Sequence, residues 1–172
     1  MSIVTTASHP WDMAGADGLV AAKTLLGDQV DRLAPFQSLE TTLEGLPCAV
    51  LRLCDRNFRI TYPGPLDALV ADRSLQLWVK QQPWLGAIVL PAASLPLVAA
   101  NATVRAPHRL RSLPLHCAAP AQLSGLPILV WHHPLGEQPG LELQAARVQI
   151  GSLCQLIQSL NLGSVSLTTA RA

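Results

Sequence analysis

The sequence predicts a single α+β domain: one antiparallel β-sheet with flanking helices, and an amphipathic helix close to the C-terminus. Short apolar or alternating segments, which are typical of strands, recur between turn-forming residues. Segments with apolar residues three or four positions apart, which are typical of helices, lie toward both ends of the chain. Since helices and strands do not alternate regularly, an antiparallel sheet is favoured over a parallel one.

The composition is that of a folded chain without a strong electrostatic field. Of the 172 residues 49% are apolar and 13% are charged, which is too apolar for a disordered chain. The net charge of +1 and the lack of a basic face argue against a nucleic-acid partner. The longest mainly apolar stretch, Gly86 to Ala100, contains two prolines and is too short to span a bilayer.

The N-terminus and the cysteines predict the cellular compartment of the protein. The N-terminus lacks the basic and apolar regions of a secretory signal. The four cysteines lie far apart, without the spacing of a metal site, and free buried thiols are the ordinary state of such residues in a reducing compartment. We therefore expect a cytoplasmic protein with no membrane attachment.

The N-terminal half begins with a helix and a hairpin. From Asp17 to Leu33 the apolar residues fall on one face of a helix, and Pro35 ends it because the residue before a proline is pushed out of the helical region. The apolar run Cys48 to Leu53 then leads through the turn residues 55–57 into an alternating segment, Phe58 to Tyr62. This pattern predicts a β-hairpin.

The centre of the predicted sheet is the segment Arg73 to Pro91, which follows a short helix expected over Leu66 to Asp72. Polar and apolar residues alternate from Arg73 to Lys80, and a continuous apolar run follows from Leu85 to Leu90. A turn at residues 81–83 would join them. We expect two adjacent strands of one sheet.

The C-terminal third is predicted to contain a strand and the clearest helix. The turn Ser124 to Pro127 leads into a strand over Ile128 to His132. Apolar residues from Leu141 to Leu160 follow the 3-4-3-4-3 spacing of a coiled coil. This helix either docks on the sheet or forms a contact with a second copy or a protein partner. The chain would then divide into a domain of residues 1–140 and a helix with tail of residues 141–172.

Arginines are the main candidates for ligand binding. Arg73 shares a predicted strand face with apolar residues, and because its charge is permanent it needs an anionic partner, a ligand carboxylate or a route to solvent. The only basic cluster of the sequence comprises Arg105, His108, Arg109 and Arg111. Since guanidinium groups match carboxylates in geometry, this cluster would either bind a small dianion or lie solvated in a loop.

Metal and cofactor chemistry is not indicated. His132 and His133 are adjacent on a predicted strand, so their side chains point to opposite faces and do not readily share a metal ion. The sequence contains no Walker loop, dinucleotide fingerprint, nucleophile elbow or zinc-protease motif. No metal and no cofactor are expected.

The order of short motifs in the centre of the chain points to a family. A strand begins at Arg73, runs into Pro83-Trp84, and is followed by an apolar strand that ends at Pro91. Residues 123–127 then read Leu-Ser-Gly-Leu-Pro before a further strand. In this order the motifs resemble those of the chorismate lyase family, whose members cleave chorismate to 4-hydroxybenzoate and pyruvate. The resemblance covers about residues 38–135.

The resemblance implies a chorismate-lyase-like fold and a set of site residues. Arg73 falls on the arginine that holds the substrate carboxylate, and Gly86 falls on the glycine whose backbone lines the ligand cavity. His132 falls where the family has its catalytic glutamate, so a histidine would handle the proton. Arg105 and Arg109 would assist in binding the substrate.

Two functions stay open under this interpretation. The first is a cofactor-independent carbon–oxygen lyase that eliminates pyruvate from chorismate, or from a related aromatic or enol-pyruvyl acid, as in ubiquinone biosynthesis. The second is a non-catalytic domain of the same fold that binds a small acid or a partner protein. The exchange of the glutamate for His132 and the short segment from Leu95 to Ala121 favour the second.

Overall fold

The computed structural model describes residues 4–5, 9–70, 74–160 and 168–169. The chain divides into two compact units, one formed by Ser8–Gln82 and the other by Met1–Ala7 together with Pro83–Ala172. Each unit is built on its own sheet, one of five strands and one of seven. We call them the five-stranded unit and the seven-stranded unit.

In chain order, the strands are β1 Val4–Thr5, β2 Trp11–Gly15, β3 Ser38–Leu43, β4 Leu46–Cys54, β5 Asn57–Thr61, β6 Leu77–Gln81, β7 Leu85–Pro91, β8 Ala102–Thr103, β9 Cys117–Leu123, β10 Leu126–Leu135, β11 Gln138–Ala146 and β12 Thr168–Thr169. The α-helices are α1 Gly18–Leu26, α2 Leu66–Leu69, α3 Leu95–Asn101 and α4 Ile150–Ser159. Short 3₁₀ helices cover Asp28–Arg32, Ala92–Ser94 and Arg147–Gln149.

The five-stranded unit has the strand order β3-β4-β5-β2-β6, and all its pairs are antiparallel. Alternate side chains of β5 and β2 form the core, so Phe58, Ile60 and Met13 are fully buried together with Ala22 of helix α1. Burying one such large apolar side chain contributes about 1.5–3 kcal/mol. Helix α1 ends at Gly27, which has a φ of 89°.

The seven-stranded unit has the strand order β12-β1-β7-β11-β10-β9-β8. Its pairs are antiparallel except for the short parallel pair of β1 and β12. Strand β11 lies centrally between β7 and β10, and its residues Leu141 and Leu143 pack with Val130 in the core. Helix α4 covers this face with Leu153 and Ile157.

The prediction of one sheet with flanking helices is wrong. Strand β6 is an edge of the five-stranded sheet and β7 belongs to the seven-stranded sheet, so the segment from Arg73 to Pro91 does not form two adjacent strands. The chain passes from one unit to the other between Gln82 and Pro83. Two strands joined by a short proline-containing link read like a hairpin because strand patterns carry no information on pairing partners.

The helix expected from Leu141 to Leu160 is also wrong in its first part. Residues Gln138–Ala146 form a strand, and the helix begins only at Ile150. Other local predictions are confirmed: the hairpin of β4 and β5, and the strands β7 and β10. Among the described residues, no helix is long and apolar enough to cross a membrane.

Candidate functional site

An open cleft lies in the seven-stranded unit, beside the loop that connects β8 and β9. Its volume is about 540 Å³, within the range of about 300–1,000 Å³ that is usual for small-molecule sites. Its polar lining comes from His108, Arg109, Arg111 and Ser112. Its apolar lining comes from Ala99, Ala100, Ala102, Val104 and Leu110. We call it the arginine cleft.

Buried leucines fix the loop that carries these arginines. Leu110 lies between Arg109 and Arg111 and is only 2% exposed, because it packs into the core of the unit together with Leu113. The two arginines on either side are exposed. The amide of Leu113 donates a hydrogen bond to the carbonyl of Leu110 (3.1 Å), and that of His108 donates to Arg105 (3.0 Å). The guanidinium groups therefore extend from an anchored backbone.

His132 holds the same loop from strand β10. Its Nδ1 lies 3.0 Å from the carbonyl oxygen of Leu113. A carbonyl oxygen only accepts hydrogen bonds, so Nδ1 is the nitrogen that carries the hydrogen. His132 is half-buried and contacts the loop rather than the cleft.

The arginine cleft is lined by positive charge, and no acidic residue is part of its described lining. The sequence contains no Asp or Glu between Asp72 and Glu137, and residues 83–172 hold five arginines against two glutamates. Among the described residues, none pairs with the guanidinium of Arg105, Arg109 or Arg111. A cleft lined by one sign of charge concentrates ions of the opposite sign.

Arg105 faces a second, smaller cleft of about 330 Å³. Thr103 and Gln122 line it as well, and Val104 lines both clefts. The basic cluster seen in the sequence is therefore divided: Arg109 belongs to the arginine cleft and Arg105 to its neighbour.

A buried polar cluster lies on the opposite face of the same sheet. Glu142 accepts a hydrogen bond from the amide of Gln144 (2.7 Å), and its other oxygen lies 3.2 Å from Nε2 of His133. The His133 ring stacks on Trp131 with a centroid distance of 3.9 Å. All four side chains are buried. In this low-dielectric setting the carboxylate is held by two donors, which makes the cluster a source of rigidity in β10 and β11.

The structure places the other predicted site residues apart from the clefts. Arg73 lies outside the described residues. Gly86 lies beneath helix α4, where a Cβ atom would stand 2.5 Å from Cγ1 of Ile150. His132 and Gly86 line neither cleft. The roles of Arg105 and Arg109 in ligand binding stay predictions.

The buried polar cluster was not found from the sequence, although a signal exists. Leu141, Leu143 and Ala145 alternate with Glu142 and Gln144, which is the period of a strand. The helical spacing that extends through the same residues concealed it. Among the described residues, no group of three His, Cys, Asp or Glu side chains is placed to hold a metal ion.

Comparison with solved structures shows a shared fold. The glycine cleavage system aminomethyltransferase T of Bartonella henselae matches with a TM-score of 0.67 and 15% identity over 97% of this chain. The match covers 47% of that protein, so this chain spans about half of its length. A chain of the heterotetrameric sarcosine oxidase from Corynebacterium sp. U-96, in complex with pyrrole 2-carboxylate, matches with a TM-score of 0.58 and 16% identity. That match covers 94% of this chain and 86% of the other.

These comparisons overturn the resemblance to chorismate lyase. The fold is that of the aminomethyltransferase and the sarcosine oxidase chain, with two sheets instead of one. The comparisons therefore also contradict both functions that followed from the resemblance, the lyase activity and a regulatory domain of the lyase fold. Motifs such as Pro-Trp between two strands mark a turn, and turns of this kind recur in unrelated folds. No protein-family model and no curated protein sequence matches the chain.

Proposed function

We propose that this chain is a subunit of a heteromeric enzyme that oxidises N-methylated amino acids related to sarcosine. One observation carries the proposal: the same fold extends over 94% of this chain and 86% of a chain of a heterotetrameric sarcosine oxidase. In the aminomethyltransferase, the fold is about half of a longer chain. In both proteins the fold therefore occurs together with additional polypeptide, which is either other subunits or the rest of the same chain.

A surface suited to a partner protein supports the proposal. Trp84 is 56% exposed and Val148 is 91% exposed, and exposed apolar side chains that adjoin one another are typical of interaction surfaces. They lie close together, since the amide of Arg147 donates a hydrogen bond to the carbonyl of Trp84 (2.7 Å). Tryptophan and arginine are enriched at the energetic centres of protein interfaces. We call this surface, formed by Trp84, Arg147 and Val148, the Trp84 patch.

The test is the activity of the complex isolated through this chain. A tagged copy is expressed in its native cells, the complex is purified, and oxygen consumption is followed with sarcosine. Oxidation of the N-methyl carbon gives glycine and formaldehyde, with water supplying the aldehyde oxygen and O₂ reduced to hydrogen peroxide. We expect sarcosine-dependent peroxide and formaldehyde in equal amounts. Isolation of the chain alone, or of a complex without amine oxidation, would contradict the proposal.

A second candidate is aminomethyl transfer in such an assembly, favoured by the TM-score of 0.67 with aminomethyltransferase T. The same preparation separates the two reactions. An oxidase consumes oxygen when sarcosine is added. The transfer of an aminomethyl group consumes no oxygen.

A further inference from the structure

The arginine cleft has the properties of a binding site for a small organic anion. The polar side chains that line it are hydrogen-bond donors or groups that can donate: the guanidiniums of Arg109 and Arg111, the imidazole of His108 and the hydroxyl of Ser112. The rest of the lining is apolar and includes Val104 and three alanines. A ligand with an anionic head and a compact apolar body would match both kinds of lining.

The number of charges favours a dianion. Arg109 and Arg111 both line the cleft, and among the described residues neither has an acidic partner. Guanidinium groups bind carboxylate and phosphate oxygens through two parallel hydrogen bonds. A ligand with two negative charges would neutralise both groups at once.

The loop is ordered before any ligand arrives. Leu110 and Leu113 are buried in the core, and His132 donates to the carbonyl of Leu113. Preorganised groups bind more tightly because less conformational entropy is lost on binding. The arginine side chains would still need to be ordered, but their backbone would not.

From these features we propose that the arginine cleft binds a small organic dianion, with two carboxylates or one phosphate as its head and an apolar body against Val104 and the alanines of the cleft. The site is independent of the Trp84 patch, whose residues do not line it. It can therefore be tested on the full chain alone, and its failure would leave the proposed assembly role untouched.

The test is isothermal titration calorimetry of the full chain at low salt with two dianionic probes, phthalate and phenyl phosphate. Benzamide serves as a neutral probe of similar shape. We expect both dianions to bind and benzamide not to bind, and we expect the affinity to fall as salt is raised. A preference for phthalate would identify dicarboxylates as the ligand class, and a preference for phenyl phosphate would identify phosphate esters.

Matched variants assign the binding to the cleft. Arg109→Gln and Arg111→Gln should each weaken the binding of the dianions at least ten-fold, since each variant removes one charge-assisted contact. Arg56→Gln removes the same charge from an exposed turn of the five-stranded unit and should change nothing. Ala100→Leu should weaken the binding of phthalate while leaving the fold and the charges unchanged.

The proposal would be overturned by either of two results. The first is no binding of phthalate or phenyl phosphate to the wild-type chain at millimolar concentration. The second is equal loss of affinity in Arg56→Gln and Arg109→Gln, which would show that the probes respond to net charge and not to the cleft.

Discussion

Nδ1 of His132 lies 3.0 Å from the carbonyl oxygen of Leu113, and this hydrogen bond joins strand β10 to the loop that carries Arg109 and Arg111. The histidine was expected to handle a proton in a substrate cavity. In the structure it holds a backbone carbonyl, and its contribution to the arginine cleft is positional.

We predict that His132→Phe lowers the unfolding free energy by about 1–3 kcal/mol, because the carbonyl of the buried Leu113 loses its donor. The same variant should bind phthalate more weakly, since the loop is less well held. His132→Asn keeps an N–H donor near the Nδ1 position and should recover much of the affinity. Urea unfolding and calorimetry measure the two effects. Equal affinity in His132→Phe and the wild type would show that the cleft does not depend on this bond.

The ion pair of Asp12 and Arg59 should stabilise the five-stranded unit. Both carboxylate oxygens are bound, at 2.7 Å and 2.9 Å, and the two side chains are only 17% and 11% exposed. We predict that Asp12→Asn destabilises the protein by about 2–3 kcal/mol, because the buried Arg59 guanidinium loses the charged carboxylate that binds it through both oxygens.

The control for that experiment is Lys23→Met. Lys23 forms ion pairs with Asp31 and Asp28, but these lie at the surface. Surface pairs contribute little to stability, so the midpoint of urea unfolding should stay unchanged. An equal loss in Lys23→Met and Asp12→Asn would mean that burial is not what makes the Asp12 pair important.

Substitution by alanine should change the stability in opposite directions at two glycines, Gly86 beneath helix α4 and Gly151 within it. A Cβ at Gly86 would stand 2.5 Å from Cγ1 of Ile150, whereas a Cβ at Gly151 would meet nothing within 4 Å. Gly86→Ala should therefore destabilise by about 1–3 kcal/mol, and Gly151→Ala should stabilise by about 0.5–1 kcal/mol. Thermal unfolding checks both. A smaller loss from Gly86→Ala in an Ile150→Ala background, which lacks the Cγ1 atom, would assign the loss to this contact.

The thiols should differ in reactivity according to burial. Burial raises the pKa of the Cys48 thiol to about 11, whereas Cys54 is exposed. Since the thiolate is the reactive form, iodoacetamide at pH 8 should label Cys54 and leave Cys48 unmodified in the folded protein. Peptide mass spectrometry reads the labelled sites.

The raised pKa of Cys48 also sets a pH dependence of stability. The usual thiol pKa is 9.0, and the folded-state value is about 11. The stabilisation is complete below pH 9 and is lost as the pH rises through 11, because the unfolded chain releases its proton first. Cys48→Ala should show a smaller fall in stability over this window. An identical fall in both proteins would assign it to other groups.

Local structure was predictable from the sequence, but strand pairing was not. The hairpin of β4 and β5 could be predicted because its two strands adjoin one short turn. Strand β7 was also found, yet its partner β11 lies more than forty residues away, and nothing in an apolar run identifies that partner. Sheet membership is decided by such distant contacts.

The segment from Leu141 shows a competition between two periods. Leu143, Ala146 and Ile150 follow helical spacing, while Leu141, Leu143 and Ala145 follow strand spacing. The strand forms because β7 and β10 provide hydrogen bonds on both sides of β11. The arginines of the cleft were visible in the sequence. Their anchoring through Leu110 was not, because a lone leucine between two arginines gives no sign of its burial.

The central claim, that this chain is a subunit of a heteromeric amine-oxidising enzyme, is tested most directly by native mass spectrometry of the complex isolated through it. Wild type and a Trp84→Ser/Val148→Ser variant are compared with Val20→Ser, which changes an exposed apolar residue of the five-stranded unit. The account predicts a stoichiometric complex for wild type and Val20→Ser, and the free chain for the double variant. A free chain in all three samples would contradict it.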